Sequence, residues 1–141
     1  MGAIAGLRVV RSGIHGYGVV ATRAFAVGDV VAEVEGVLWC GDDEDRDDRY
    51  SLWLEDEWFF DMVDQTRWIN HSCEPNGEIE AGIEDGGWAR IVAIRPIAAG
   101  DELTYDYGFT ADVAEPCACG APHCRGFIVD EDELPRLLKG A

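Results

Sequence analysis

The chain has 141 residues, a formal net charge of −17 and a single lysine, Lys139. This length suits one compact domain, and no apolar run approaches the ~20 residues that a membrane-spanning helix requires. Such acidity argues against a direct nucleic-acid ligand, because phosphate binding draws on Lys and Arg. It would attract a basic protein partner, although a strongly solvated surface explains most of the charge equally well.

Short runs rich in β-branched residues, separated by Gly, Asp and Pro, predict a mostly β protein. The predicted strands lie at 7–11, 30–34, 90–94 and 102–105. Helical periodicity is weak and is confined to two short candidates, 48–54 and 63–68. Glycines interrupt the chain so often that long helices are excluded.

Three further segments are predicted to lie outside the strands. The acidic run 42–48 is expected to be an exposed loop. Segment 112–116 is interpreted as a hinge before a cysteine-rich tail, and the acidic end 130–141 as a segment that frays. The first seven residues carry no secretory signal pattern, so we expect an intracellular, cytoplasmic protein without a membrane, small enough for nuclear entry.

The five cysteines indicate a metal site. An odd number with a CxC pair suits a reducing compartment and metal binding better than a disulfide framework. Cys117, Cys119 and Cys124 form a three-cysteine knuckle, whereas structural zinc takes four ligands. Cys73 is the available fourth thiolate. Cys40 is left over, and we expect it to be a small buried apolar residue.

Three other motifs could carry chemistry, and each has a structural alternative. The glycine-rich segment 13–19 follows a predicted strand and would more often be a tight turn than a cofactor loop. The Asn70 and His71 pair is usually a hydrogen-bonded turn. Tyr105 and Tyr107 are two apart on an extended segment and so face the same side, where packing is the commoner role.

In their order and spacing, these motifs resemble the SET domain family of protein lysine methyltransferases over residues 7–127. The matching blocks are HGYG at 15–18, RWINHSCEPN at 67–76, GDELTYDYG at 100–108 and CACGAPHCRG at 117–126. The last block resembles the family's post-SET motif, which shares one zinc with the cysteine of the second block. The resemblance implies a mostly β (α+β) fold, a SET-type β-clip of small sheets with a knot-like C-terminal substructure. It divides the chain into a SET catalytic domain, 1–111, a post-SET zinc segment, 112–129, and an acidic tail, 130–141.

The resemblance implies S-adenosylmethionine as methyl donor, Zn²⁺ as structural ion, and a lysine of a basic, histone or histone-like protein as acceptor. A non-catalytic module that binds a lysine-bearing peptide is the main alternative, and a small zinc-dependent structural protein is a weaker one. The implied zinc ligands are Cys73, Cys117, Cys119 and Cys124. The implied cofactor-binding residues are His15, Gly16, Tyr17, Gly18, Arg67, Asn70, His71, Tyr107 and Phe127.

Within that set, the resemblance assigns separate roles. The backbone of 16–18 would line the cofactor where a Cβ would clash, Arg67 would pair with its carboxylate and Phe127 would cover adenine. Tyr50, Tyr105 and Tyr107 would line an apolar lysine channel, with Tyr107 as the catalytic tyrosine.

The Tyr105 hydroxyl would crowd the amine and favour mono-methylation, with some di-methylation. The segment 61–67 is shorter than the family's usual one, and the insert 36–50 is short and acidic. Target choice and the state of assembly, monomer or homodimer, therefore stay open.

Overall fold

The computed structural model describes residues 4–41 and 50–139. Within these residues the chain forms twelve short strands, four 3-10 turns and one α-helix. The strands are β1 (Leu7–Arg11), β2 (Tyr17–Ala21), β3 (Val30–Val34), β4 (Gly36–Cys40), β5 (Ser51–Glu55), β6 (Trp58–Met62), β7 (Asn70–His71), β8 (Gly77–Gly82), β9 (Trp88–Ala93), β10 (Glu102–Tyr105), β11 (Glu115–Pro116) and β12 (Phe127–Ile128). The 3-10 turns are Gln65–Trp68, Glu84–Gly86, Ala111–Val113 and Glu131–Glu133, and the helix α1 is Leu134–Lys139.

The strands form three small sheets and one two-stranded ribbon. The orders are β1-β2-β10-β7, β3-β9-β8, β4-β6-β5 and β11-β12. In the first sheet, β10 lies antiparallel to β2 and parallel to β7. Leu103 pairs with Val19 on one side, and Tyr105 pairs with His71 on the other. β10 therefore joins the glycine-rich turn before β2 to the Asn70-His71 segment.

One hydrophobic core lies under the three sheets. Alternate residues of β9 point into it, because successive side chains of a strand face opposite sides, and Leu103 and Tyr105 of β10 belong to it as well. Leu103 and Ile91 are fully buried, and Phe60 of the third sheet packs into the same core. Burying a side chain of this size stabilises the fold by about 1.5–3 kcal/mol, so the core fixes how β10 sits relative to its neighbours.

The four predicted strands are confirmed as β1, β3, β9 and β10, with β9 starting two residues earlier than expected. The helix predicted at 48–54 is wrong in its described part, which is β5. Leu52 and Leu54 pack on the core while Trp53 is 66% exposed, and this period-two pattern suits pairing with β6. Residues 63–68 hold only a 3-10 turn, capped by the Asp64 carboxylate, which accepts from the Thr66 N–H.

The C-terminal expectations also change. Segment 112–116 is not a free hinge, because it includes a 3-10 turn and β11, which pairs with β12. Residues 131–139 form a 3-10 turn and α1 rather than a frayed end, and Val129 before them is fully buried. Cys40 is exposed, contrary to expectation, because it ends an edge strand. The predicted acidic loop at 42–48 lies outside the described residues.

Candidate active site and zinc centre

The glycine-rich turn is held in place by Asn70. The Asn70 side-chain nitrogen donates to the backbone carbonyls of His15, at 3.2 Å, and Tyr17, at 2.9 Å. The turn is closed by a bond from the Ser12 N–H to the Gly16 carbonyl at 2.8 Å. The first and second sequence blocks therefore meet directly, through the side chain of a buried asparagine.

A carboxylate that the sequence reasoning gave no role lies against this turn. Glu102, the first residue of β10, accepts from the Ser12 hydroxyl at 2.9 Å and lies 3.0 Å from Asn70 Nδ2, whose two hydrogens are shared between this carboxylate and the two carbonyls of the turn. A Cβ on Gly18 would lie 2.5 Å from Glu102 Oε2, so glycine at this position makes room for the carboxylate. At Gly16 the same test finds nothing within 4 Å, so a ligand beside Gly16 stays a prediction.

Tyr105 and Tyr107 lie side by side at the end of β10, as their spacing predicted. Their ring centroids are 4.8 Å apart, and the Tyr107 hydroxyl donates to the Ile69 carbonyl at 2.5 Å. Burial raises the pKa of both hydroxyls above their usual range, so both stay protonated near neutral pH. Tyr107 also contacts the Phe109 ring, at 5.6 Å between centroids.

A second aromatic group surrounds Trp68, a residue without an assigned role in the sequence analysis. The Trp68 ring lies 5.5 Å from the Tyr50 ring and 6.0 Å from the Tyr17 ring, centroid to centroid. The Arg67 guanidinium lies over Trp68, at 4.8 Å, and its buried Nε has no hydrogen-bond partner among the described residues. A buried N–H donor without an acceptor is costly, so Arg67 Nε is suited to an anionic ligand group.

His71 connects the tyrosines to the cysteine cluster. Its Nδ1 accepts from the Tyr107 backbone N–H at 3.1 Å, so the ring hydrogen lies on Nε2, which is 3.5 Å from Cys73 Sγ. Burial lowers the pKa of His71 to about 4, and the imidazole is therefore neutral at pH 7. The side chain of His71 therefore contacts Tyr107 and Cys73. This leaves the backbone of His71 to contact a ligand, as the sequence predicted.

The four predicted zinc ligands come together. The sulfurs of Cys73, Cys117, Cys119 and Cys124 all lie within 4.8 Å of one another. Cys73 Sγ is 4.0 Å from that of Cys117 and 3.9 Å from that of Cys124. Tetrahedral Zn–S bonds of ~2.3 Å place sulfurs about 3.8 Å apart, so the donor set and its spacing fit zinc.

The thiols of this cluster do not titrate alike. Burial raises the pKa of Cys73, and it raises that of Cys117 to about 12. Burial acts in the same direction on Cys119, but hydrogen bonds to its sulfur outweigh it and bring its pKa to about 6. Metal ligation requires thiolates, so zinc bound to this cluster would favour deprotonation of all four cysteines.

A cavity of about 570 Å³ opens beside the paired tyrosines. Its lining comes mainly from β5, β8 and the end of β10, and it combines apolar side chains with polar groups such as Glu78 and Asp106. The lining residues are Leu52, Trp53, Leu54, Pro75, Gly77, Glu78, Ile79, Ala81, Ile94, Tyr105, Asp106 and Tyr107. Phe127 lies in the β11-β12 ribbon, opposite Pro116, and its predicted place over a ligand stays a prediction.

Residues 16–108 match the family model described as the SET domain. The chain belongs to the SET domain family. Human histone-lysine N-methyltransferase 2B is 38% identical to this SET domain over 140 residues, which cover 85% of the chain and 5% of the human protein. The H3 lysine-4 specific histone-lysine N-methyltransferase of Saccharomyces cerevisiae is 37% identical over 139 residues, covering 84% and 13%.

A crystal structure of KRYPTONITE in complex with mCHH DNA, H3(1-15) peptide and SAH has a TM-score of 0.73 to this SET domain. The identity is 29%, and the match covers 86% of this chain and 29% of KRYPTONITE. The mostly β fold expected from the sequence is confirmed by this likeness. The chain spans only a small part of the length of the human and Saccharomyces cerevisiae relatives. Within its described residues, no helix has the length and apolar character that a membrane crossing requires.

Proposed function

We propose that this SET domain transfers a methyl group from S-adenosylmethionine to a lysine side chain of a protein. The observation that carries the proposal is Tyr107, which lines the cavity and whose hydroxyl is fixed on the Ile69 carbonyl. Relatives named as histone-lysine N-methyltransferases, and a similar structure that contains SAH and an H3 peptide, support it.

The residues suited to hold the methyl donor lie on the side of the glycine-rich turn. Arg67 has an unsatisfied Nε–H donor that a carboxylate would accept from, and Trp68 and Tyr17 offer aromatic faces next to it. The set proposed for this role is His15, Gly16, Tyr17, Gly18, Arg67, Asn70, His71, Tyr107 and Phe127. S-adenosylmethionine supplies an activated methyl group on a sulfonium. The zinc-bound knuckle would keep the tail, and Phe127 with it, next to this region.

The lysine must lose a proton before it can attack, because its pKa is near ~10.4 in water. A channel lined by Tyr105 and Tyr107 removes the ammonium from water and so disfavours the charged form. Tyr50 would complete the channel wall, next to Trp68. The Tyr107 hydroxyl gives its hydrogen to Ile69, which leaves its lone pairs free to accept from the amine and to align it for in-line transfer.

Tyr105 is proposed to limit the number of methyl groups. Its ring lies against that of Tyr107 and is buried, so its hydroxyl takes space and can hold a water molecule where a methylated amine would need room. Mono-methylation, with some di-methylation, is the expected outcome. Residues 1–111 are proposed as the catalytic unit, 112–129 as the zinc segment and 130–141 as an acidic tail.

The proposed substrate is a basic protein, histone or histone-like, because the chain carries a net charge of −17 and its relatives are named for histone lysine. A chromatin substrate would place the protein in the nucleus, where one exists, rather than in the cytoplasm. The KRYPTONITE complex contains DNA, so the absence of nucleic-acid contact stays a prediction here, supported by the charge.

The test is incubation with S-adenosylmethionine labelled on its methyl group and a mixture of basic proteins, analysed by gel and mass spectrometry. We expect labelled lysine with the wild type and loss of at least about 100-fold in kcat with Tyr107→Phe, while cofactor binding is retained. Label transfer that survives Tyr107→Phe would contradict the role of this hydroxyl. Cofactor binding by calorimetry without any turnover would favour the non-catalytic module.

A further inference from the structure

A partly buried ion pair connects the cysteine knuckle to the segment between the two tyrosines. The Arg125 guanidinium donates to Asp106 Oδ2 at 2.9 Å, and the two side chains are 13% and 34% exposed. The Arg125 backbone N–H donates to Cys73 Sγ at 3.4 Å, so this residue is held at the cluster of sulfurs. Asp106 in turn accepts from the Gly108 N–H at 3.0 Å, which shapes the chain just after Tyr107.

The position of Asp106 makes this pair more than a surface contact. Asp106 lies between Tyr105 and Tyr107, whose own backbones are fixed from the β7 side. The Tyr105 carbonyl accepts from the Ser72 N–H at 3.2 Å, and the Tyr107 N–H donates to His71. The Arg125 ion pair adds an anchor from the post-SET segment, and without it the Asp106 carboxylate would be held only through Oδ1, by the Gly108 N–H.

We propose that Arg125 is a positioning residue that couples the seating of the cysteine knuckle to the placement of the Tyr105 and Tyr107 rings. The inference rests on the proposed function for its kinetic consequence, but its structural part can be tested without turnover. Arg125 reaches the carboxylate through one bond from Nη2 to Oδ2, while its Nε has no hydrogen-bond partner among the described residues, so the pair is a single directed contact between a permanent cation and a carboxylate. Arg136, paired with Glu133 at 3.1 Å in the same tail, is 74% exposed and gives a matched control.

The test compares zinc-loaded wild type, Arg125→Gln, Arg125→Lys, Asp106→Asn, the double variant and Arg136→Gln. Hydrogen exchange is measured at the backbone amides of 106–109, zinc content is measured by a chelating dye, and kinetics are measured with the labelled cofactor. For Arg125→Gln we expect exchange at these amides to be faster by about tenfold or more, with zinc content unchanged. We expect kcat to fall about tenfold and the KM for S-adenosylmethionine to change less than about threefold.

Three comparisons decide the inference. The exchange rate and kcat of Arg125→Lys should lie between those of Arg125→Gln and wild type. The double variant should show effects no larger than those of the worse single variant, and Arg136→Gln should have the exchange rate and kcat of wild type. Unchanged exchange in zinc-loaded Arg125→Gln, additive effects in the double variant, or an equal effect of Arg136→Gln would overturn it. If Arg125→Gln loses zinc, the exchange rate in Asp106→Asn tests the coupling instead. Asp106 makes no hydrogen bond to the four sulfurs among the described residues, so its substitution should leave zinc bound. A wild type without methyl transfer refutes the proposed function alone, since the exchange measurement still tests the coupling.

Discussion

Gly18→Ala tests why the second glycine of the HGYG turn is needed. The Cβ would lie 2.5 Å from Glu102 Oε2 and 3.0 Å from Ser12 Cβ. Gly16 has a positive φ but Gly18 does not, so alanine at position 18 introduces no backbone strain. The carboxylate must therefore move, and this shift weakens the hydrogen bonds that it accepts from the Ser12 hydroxyl and Asn70 Nδ2, with full loss of both as the upper limit.

The expected cost follows from those two donors. A hydrogen bond to a charged group contributes about 1.5–3 kcal/mol, so losing both costs at most about 3–6 kcal/mol. Glu102 is only partly buried and recovers some of this by hydration, and Ala in place of Gly restricts the unfolded chain by about 0.4–1 kcal/mol. We expect a net loss of about 2–4 kcal/mol in the free energy of unfolding.

Urea denaturation of the zinc-loaded protein, followed by tryptophan fluorescence, measures this loss. Gly13→Ala is the matched control, because a Cβ there meets nothing within 4 Å, and it should stay within about 0.5 kcal/mol of wild type. In a Glu102→Ala background, Gly18→Ala should cost less than about 1 kcal/mol, since only Ser12 remains close. A full cost in that background would refute the assignment of Gly18 to the carboxylate.

Three further predictions concern methyl number, zinc and the core. Tyr105→Phe should raise the product from mono- toward di- and tri-methyl lysine, and an unchanged product mass spectrum would contradict its limiting role. Cys73→Ser should weaken zinc binding roughly tenfold or more and should also weaken S-adenosylmethionine binding, seen by calorimetry; full activity of a zinc-free, chelator-treated sample would argue against this link. Leu103→Ala should lower the free energy of unfolding by about 2–5 kcal/mol in thermal melts, whereas Leu138→Ala, at an exposed position, should have little effect.

Signals local in the sequence predicted part of the fold and of the site. Strand β10 is predictable because it is short, contains Thr104 and Tyr105, which favour strands, and lies between Gly100 and Gly108, and the adjacency of Tyr105 and Tyr107 follows from strand geometry. The need for a fourth ligand beside the knuckle followed from the coordination number of zinc, and the resemblance to the post-SET motif implied Cys73, which the structure places with the other three cysteines. These are cases where a short pattern has few physical solutions.

The remainder depends on which strands become neighbours. Glu102 acts on the glycine-rich turn only because β10 lies beside β2, and Arg125 reaches Asp106 only because the knuckle docks at Cys73. Neither contact leaves a periodic trace in the sequence. The helix expected at 48–54 failed for the same reason, since pairing with β6 outweighs a weak helical preference.

The place of β10 in the first sheet also bears on how the protein folds. Its partner β2 comes from the start of the chain, and the pairing of Leu103 with Val19 closes a loop that contains the second and third sheets. Contacts this distant in sequence form slowly, because loop-closure entropy is lost before they contribute stability. During synthesis, β2 and β7 must wait for β10 to emerge, so the paired tyrosines and the glycine-rich turn would meet only near the end of folding.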